Sequence, residues 1–320
     1  MRILIIKQGA LGDVIMATAL VDAIQRAHAG ATFVLLTTPA FAGLFADWPN
    51  LDVQAHPRRG ARAMWNVLRS IRAQHFDRVY DLQGNDRTGL LCALSGIRER
   101  VGNHARFPYT HHPRERWTGQ CHIFERMNEV LAAAGVGPAA PRPILRANAE
   151  ARLEVAGFMA EHRLEPGRFV ACHAGASPTR QDKCWPGFAG FAARLAAAGL
   201  ATVWLGAGSD GAHNRVLAAE HGVDATDRFS IPQLAELARH ARFALTNDSG
   251  PMHAMAASGI PVFGLFGPSD WRRNHALGQR DYVLPCTELV SRYEGARTAD
   301  CLGALDVDVV WHRIASFGLL

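Results

Sequence analysis

The chain has 320 residues, of which 48% are hydrophobic and 20% are charged, and its formal net charge is +5. This composition excludes a disordered protein and suits about two folded domains, and no apolar run reaches the roughly 18 residues that a membrane-spanning helix needs. The positive charge favours anionic partners but does not choose among phosphorylated substrates, nucleic acid and anionic membrane surfaces.

The first half of the chain alternates short apolar runs with longer helical patterns. We predict strands at Met1–Lys7, Phe33–Thr37 and Arg78–Leu82, with helices at Val14–Ala27, Pro39–Phe45, Ala63–Gln74, after Arg87 and near His122–Ala134. The stretch from Arg98 to Arg116 breaks this alternation. The sequence GVGPAAPRP, which begins at Gly135, is the strongest linker signal in the chain.

The second half repeats the alternation after this linker. We predict strands at Phe169–His173, Thr202–Gly206, Phe243–Thr246 and Val262–Phe266, with helices at Ala149–His162, Pro186–Ala198, Pro232–His240, from Pro251, and from an N-cap at Asp306 to Phe317. Such alternation predicts an α/β fold with two Rossmann-like domains facing a central cleft, at residues 1–150 and 151–320. The last helix is placed where it could pack back on the first domain.

The first candidate site is the turn after the first strand, Gly9-Ala-Leu-Gly12-Asp13. Two glycines let a backbone approach a ligand closely, and the Asp13 carboxylate could accept a proton as a general base. The alternative is that Asp13 only caps the following helix. The turn is not GxGxxG, so a dinucleotide fingerprint is absent.

The second candidate site follows the strand at Phe169–His173. Small residues are followed by hydroxyls and cations before Pro186, which is a pattern suited to binding a diphosphate. The candidate ligand-binding residues are Ser177, Thr179, Arg180 and Lys183. An exposed loop with ordinary surface charge is the alternative.

The third candidate site follows the strand at Phe243–Thr246. Asp248 or Ser249 would cap a helix that begins near Pro251, and Gly250 lies between the cap and this proline. The free backbone N–H groups at the start of the helix would then be available for a phosphate. His253 could reach the same anion, although a lone histidine is more often structural.

Together these motifs resemble glycosyltransferase family 9, the heptosyltransferases of lipopolysaccharide synthesis. The resemblance spans nearly the whole chain and rests on Lys7 with Gly12-Asp13 and Thr18, Asp81-Leu-Gln-Gly84 with Arg87, HAGAS with Lys183 and Trp185-Pro186, and Asn247-Asp-Ser-Gly-Pro-Met-His253. It implies a GT-B fold without an essential metal. It also implies inverting transfer from ADP-L-glycero-D-manno-heptose to a Kdo or heptose hydroxyl of the inner core.

The resemblance assigns roles to particular residues. Asp13 matches the catalytic base, and Lys183, with Ser177 nearby, matches the group that binds the donor phosphates. The turn Asp248–Gly250 matches the segment that holds the donor diphosphate and sugar, with His253 beside it.

An anionic acceptor requires cations, and several arginines lie in or near predicted loops of the first half. The candidate acceptor-binding residues are Gly12, Arg58, Arg59, Arg62 and Arg87, and further arginines are Arg98, Arg100, Arg106, Arg114 and Arg116. Ordinary solvated arginines are the alternative for any one of them. The same charge predicts peripheral contact with the inner leaflet of the cytoplasmic membrane, which salt would weaken.

Other classes of function remain open at this stage. A nucleotide-sugar epimerase of the same fold, a non-catalytic nucleotide-binding module, and a family member with another nucleotide sugar or a protein acceptor are the alternatives. No nucleic-acid-binding motif is present, so no nucleic acid partner is expected. Asp306-Val-Asp308 is interpreted as a helix cap. The six irregularly spaced cysteines predict reduced thiols, no zinc site and a cytoplasmic protein.

Overall fold

The computed structural model of the protein describes residues 1–58, 60–104, 107–177, 179–290 and 299–320. It divides the chain into two compact units, Met1–Arg146 and Ala147–Leu320. Each unit has one sheet in which all named strands pair in parallel. The predicted α/β class is confirmed. Within the described ranges, no helix is both long and apolar enough to cross a membrane.

The first unit has a five-stranded sheet in the order β3-β2-β1-β4-β5. Its elements are β1 (Arg2–Ile6), α1 (Leu11–Ala27), β2 (Thr32–Thr37), α2 (Pro39–Ala42), β3 (Leu51–Ala55), α3 (Ala61–Ala73), β4 (Arg78–Asp81), α4 (Asp86–Leu94), β5 (Glu99–Val101) and α5 (Ile123–Ala132). The central strand β1 reads RILII and is almost fully buried after its first residue, as expected for an inner parallel strand.

The second unit has a six-stranded sheet in the order β11-β10-β9-β6-β7-β8. Its elements are α6 (Ala149–Glu161), β6 (Phe169–His173), α7 (Phe188–Ala197), β7 (Ala201–Gly206), α8 (Gly211–Glu220), β8 (Val223–Thr226), α9 (Ile231–His240), β9 (Phe243–Asn247), α10 (Gly250–Ala256), β10 (Val262–Phe266), α11 (Trp271–Asn274), β11 (Val283–Pro285), α12 (Cys286–Leu289) and α13 (Val307–Ala315).

Each sheet contains one point where the strand order reverses. In the first unit the reversal lies between β1 and β4, and in the second between β6 and β9. Ile6 pairs with Asp81, and His173 pairs with Thr246, so the turns that follow these paired strands begin side by side. Ligands of open α/β sheets bind at such switch points, outside the carboxyl ends of the strands.

The last helix, α13, packs within the second unit. Asp306 is its N-cap, and its carboxylate accepts a hydrogen bond from the Asp308 N–H at 2.8 Å. Val310 and Ile314 are buried in the same core cluster as Phe191 of α7. The capping interpretation of Asp306-Val-Asp308 is therefore confirmed.

The prediction that all cysteines are reduced is wrong for one pair. Cys286 and Cys301 form a disulfide with a Cα–Cα separation of 6.0 Å, whereas Cys92 and Cys172 are buried free thiols. The two bonded residues are 15 positions apart, and only the fold around β11 and α12 brings them together. Sequence spacing alone carries no signal for this pairing.

Candidate functional site

The switch point of the first unit places Lys7 beside Asp13. The Lys7 ammonium donates to the Leu82 carbonyl at 3.2 Å and lies 3.8 Å from the Asp13 carboxylate. Burial lowers the pKa of Lys7, although the charges of Asp13 and Asp81 act in the opposite direction. The Asp13 side chain is 42% exposed, so its carboxylate is accessible while one side of it faces a buried cation.

Asp13 is the third residue of α1, and its contact with the helix start is weak. Its Oδ2 atom lies 3.4 Å from the Ala10 N–H, which is long for a capping hydrogen bond. The carboxylate is therefore little used by the helix, and this geometry suits a proton acceptor. Its role as the base stays a prediction.

The glycine turn before α1 approaches the first predicted arginine. Gly9 has a φ of +145°, and a Cβ atom there would lie 3.1 Å from Arg58 Nη1 and 3.3 Å from a ring carbon of Phe41. The structure thus brings the guanidinium of Arg58 to the turn that carries Gly12 and Asp13.

The remaining predicted acceptor residues have different surroundings. Arg62 is exposed near the start of α3, and Arg59 lies outside the described residues. Arg87 is half-buried in the first turn of α4, and its buried Nε–H donates to no described residue. Arg87 therefore retains hydrogen-bonding capacity for an anionic ligand.

A buried carboxylate fixes the turn after β4. Asp81 is fully buried and accepts hydrogen bonds from the Gln83 and Gly84 N–H groups and from the Tyr109 hydroxyl at 2.6 Å. The Gln83 side chain in turn accepts from the Gln8 N–H at 2.8 Å. The β4 turn therefore holds the segment that leads to Asp13, a link that sequence reasoning missed.

The switch point of the second unit centres on Lys183. This residue ends a 3₁₀ turn at Gln181–Lys183, and its ammonium lies 2.5 Å from Asp248 Oδ2. The Ser269 hydroxyl donates to the same oxygen at 2.6 Å. Both Lys183 and Asp248 are largely buried. The structure thus brings together two residues that were predicted separately to bind the donor, with Ser269 as an additional partner.

Asn247 joins the two turns that carry this pair. Its side-chain oxygen accepts from the Trp185 N–H at 3.1 Å, and its Nδ2 donates to the carbonyls of Ala174 and Gly175 at 2.8 and 3.1 Å. A fully buried amide with three such contacts fixes the position of the HAGAS segment relative to the β9 turn.

A second polar group lies at the same switch point. His173 Nδ1 lies 3.0 Å from the Ser249 hydroxyl, and His173 Nε2 lies 3.6 Å from Asp210 Oδ2. Burial acts to raise the pKa of Asp210, but hydrogen bonds from His173 and the Ala207 N–H hold that pKa below its usual range. The His173 ring is therefore held between the Ser249 hydroxyl and the Asp210 carboxylate.

Two glycines make room for this arrangement. A Cβ atom on Gly175 would lie 2.1 Å from a carboxylate oxygen of Asp210, and one on Gly206 would lie 2.8 Å from the Asp210 Cβ. Because no side chain fits at either position, the glycine in HAGAS is required for packing. Sequence reasoning missed Asp210, which lies at the end of a 3₁₀ turn after β7.

The other predicted donor-binding residues lie either on the exposed loop before Lys183 or on α10. Ser177, Thr179 and Arg180 are exposed; the Ser177 and Thr179 hydroxyls are 3.3 Å apart, and Arg180 pairs with Asp182. The hydrogen bond from Arg180 is the main cause that lowers the pKa of Asp182. Gly250 begins α10, and His253 is buried on it.

In the described part of the chain, no group of three or more His, Cys, Asp or Glu side chains is arranged to hold a metal ion. Each switch point carries one lysine ammonium group, that of Lys7 in the first unit and that of Lys183 in the second. Lys7 and Lys183 are the only lysines in the sequence, and each follows the first strand of its half. This placement could have been used to predict the two switch points from the sequence.

Comparison with known proteins finds relatives that are similar in sequence and in fold. Residues 64–292 match the family model for glycosyltransferase family 9 (heptosyltransferase). The chain is 25% identical over 294 residues to lipopolysaccharide heptosyltransferase 1 of Salmonella typhimurium, covering 84% of this chain and 89% of that protein.

Two solved structures share the fold over almost the whole chain. A family 9 glycosyltransferase from Veillonella parvula superposes with a TM-score of 0.83 at 22% identity, covering 98% of this chain and 96% of that one. E. coli heptosyltransferase WaaC, solved with ADP, gives a TM-score of 0.72 at 21% identity, covering 99% and 98%. A second structure of that protein contains ADP-2-deoxy-2-fluoro heptose.

These findings favour a glycosyltransferase over the epimerase and the non-catalytic module. The matched segment begins within α3 and ends just beyond α12, so it includes the β4 turn and the switch point of the second unit. The chain belongs to glycosyltransferase family 9, the heptosyltransferases.

Proposed function

We propose that the protein transfers a heptose from ADP-L-glycero-D-manno-heptose, with inversion, to a Kdo or heptose hydroxyl of the lipopolysaccharide inner core. One observation carries this proposal: the motif residues occupy the switch points of both sheets, with Lys7 and Asp13 in the first unit and Lys183 and Asp248 in the second. Open α/β sheets bind their ligands at these points.

Lys183 is the proposed contact for the donor diphosphate. An ammonium group has three N–H donors, so Lys183 can keep its contact with Asp248 and still donate to a phosphate oxygen. Asp248 is itself an anion and would repel a diphosphate. Its proposed role is therefore to position Lys183, helped by the hydroxyl of Ser269.

The proposed reaction is a direct displacement. Asp13 removes the proton of the acceptor hydroxyl as the oxygen forms a bond to the anomeric carbon, and the bond from that carbon to the diphosphate oxygen breaks. Lys183 stabilises the charge that develops on the departing ADP. This scheme requires no metal.

The proposed acceptor is anionic and meets the cations of the first unit. Arg58 lies beside the Gly9 turn, and Arg87 has a buried Nε–H with no described partner. Guanidinium groups bind carboxylate and phosphate oxygens through paired hydrogen bonds. The relatives named above support lipopolysaccharide as the source of this acceptor.

Calorimetric titration with ADP, UDP, GDP and dTDP tests the proposed donor. We expect selective binding of ADP, and a loss of roughly tenfold to a hundredfold in affinity for Lys183→Ala, because a hydrogen bond to a charged group is removed. Arg194→Ala is the control, since Arg194 is an exposed cation of α7 that pairs with Asp308. A preference for another nucleotide would contradict the heptose assignment while leaving the family intact.

A further inference from the structure

Large apolar side chains are exposed on one layer of the first unit. Trp65 of α3 is 57% exposed, Leu90 and Leu94 of α4 are 45% and 44% exposed, and Phe107 is 78% exposed. Elsewhere in the described residues, comparable exposure is found only at Met1, Leu153 and Val216. Isolated exposed apolar residues are ordinary, but a group of them marks an interaction surface.

The four side chains belong to neighbouring parts of the structure. The helices α3 and α4 share one core cluster, which includes Leu68 and Leu91, and Arg72 Nε donates to the Leu94 carbonyl at 2.9 Å. Leu90 and Phe107 line the same open recess of about 330 Å³. We call this surface, formed by Trp65, Leu90, Leu94, Phe107 and the exposed arginines of α3, the α3–α4 face.

The exposed side of α3 is strongly cationic. Arg62, Trp65, Arg69 and Arg72 follow one another at i, i+3, i+7 and i+10, a spacing that places them on one side of a helix. Val67, Leu68 and Ile71 are buried on the other side. The helix contains no acidic residue, and neither Arg62 nor Arg69 pairs with an acid in the described ranges.

We propose that the α3–α4 face binds the surface of an anionic phospholipid bilayer. Tryptophan and other large apolar side chains partition into the interfacial layer, and the arginines between them attract lipid phosphates. Trp65 is flanked along α3 by Arg62 and Arg69, and Arg72 reaches the Leu94 carbonyl, so cations adjoin the apolar side chains, which suits a charged interface better than the apolar centre of a protein interface. This proposal concerns where the enzyme works and does not rest on its donor or acceptor.

Vesicle sedimentation with the full chain tests the apolar part of the face. We expect binding to vesicles of phosphatidylglycerol and phosphatidylethanolamine at about 0.1 M salt, and much weaker binding at about 0.5 M salt. The double variant Trp65→Ser/Leu90→Ser should lower the partition coefficient about tenfold or more, because two side chains no longer enter the interface. Leu153→Ser/Val216→Ser is the matched control, with similarly exposed residues of the second unit.

A single-charge variant tests the cationic part. Arg69→Gln should lower the partition coefficient about fivefold, whereas Arg215→Gln, an exposed arginine of α8, should leave it unchanged. Equal losses in the control variants, equal binding to phosphatidylcholine vesicles, or no binding to the anionic vesicles would overturn the proposal. So would a result in which Trp65→Ser/Leu90→Ser abolishes self-association in ultracentrifugation and leaves vesicle binding intact.

Discussion

Asp13 offers the sharpest test at the scale of one residue. Asp13→Asn should lower turnover by roughly a hundredfold to ten-thousandfold, because an amide cannot remove the acceptor proton. The affinity for ADP should be unchanged, because the proposed nucleotide contact is Lys183 in the other unit. Turnover can be followed as ADP release in the presence of donor and acceptor sugars.

The same helix supplies the control for this variant. Asp22 lies on α1 and pairs with Arg26 at 2.8 Å, so Asp22→Asn alters a partly buried carboxylate of the same helix without touching the Lys7 contact. If Asp13 only capped α1, its substitution would lower the stability of the helix and leave turnover of the folded enzyme near that of Asp22→Asn. That outcome would refute its role as the base.

The sequence predicted the charged residues of the site better than the partners that hold them. Lys183 and Asp248 were both predicted, and the structure joins them. Their partner Ser269 and the Asp81 partner Tyr109 were missed, because each lies more than twenty positions from the carboxylate that it contacts. A hydroxyl that acts through tertiary structure leaves no local spacing pattern.

At the scale of elements, the β4 turn should give the first unit a pH-dependent stability. Burial raises the pKa of Asp81 above its usual value of 3.8, against hydrogen bonds from Tyr109 and the turn N–H groups. A carboxyl with a raised pKa in the folded state contributes most below its unfolded pKa, and that contribution is lost as the pH rises through the folded pKa. The stability of wild type relative to Asp81→Asn should therefore fall as the pH rises above about 4.

Hydrogen exchange of the β4 amides measures this difference, after correction for the intrinsic effect of pH on exchange. Tyr109→Phe is an informative companion, because it removes a donor to the buried carboxylate and should extend the same trend to higher pH. If the stability of wild type relative to Asp81→Asn rose with pH, the raised pKa of Asp81 would be contradicted.

The elements that the sequence did not predict share one property. The strands β3, β5, β8 and β11 were all missed, and each lies at the edge of its sheet. Inner strands such as β1 are buried on both faces and therefore read as continuous apolar runs. Edge strands such as β3, with the sequence LDVQA, and β5, with ERV, are short or partly polar, so their hydrophobic pattern is too weak to distinguish them from loops.

At the scale of the whole molecule, the two units should respond differently to nucleotide. We propose that the second unit holds ADP, which at a hundred times its dissociation constant stabilises the bound state by about 2.7 kcal/mol. Hydrogen exchange with ADP alone should therefore slow at β6, β9 and the turn that carries Lys183. The amides of β1 and β4 should exchange as in the free protein.

Mass spectrometry of peptides from both units would measure this pattern. Arg194→Ala provides a reference that binds ADP normally, and Lys183→Ala should lose the protection at the same nucleotide concentration. Protection centred on residues 1–146 would place the nucleotide in the first unit and contradict this division of roles.

The small number and the burial of the lysines limit where an amine-reactive reagent can modify the protein. The sequence contains no lysine besides Lys7 and Lys183. Its primary amines are therefore these two side chains and the α-amino group. Both lysines are largely buried, with 8% and 17% of their side chains exposed. A reagent that forms more than one amide on this chain must therefore have reached Lys7 or Lys183, and the mass of the intact protein, after hydroxylamine removes thioesters and esters, reports on access to them.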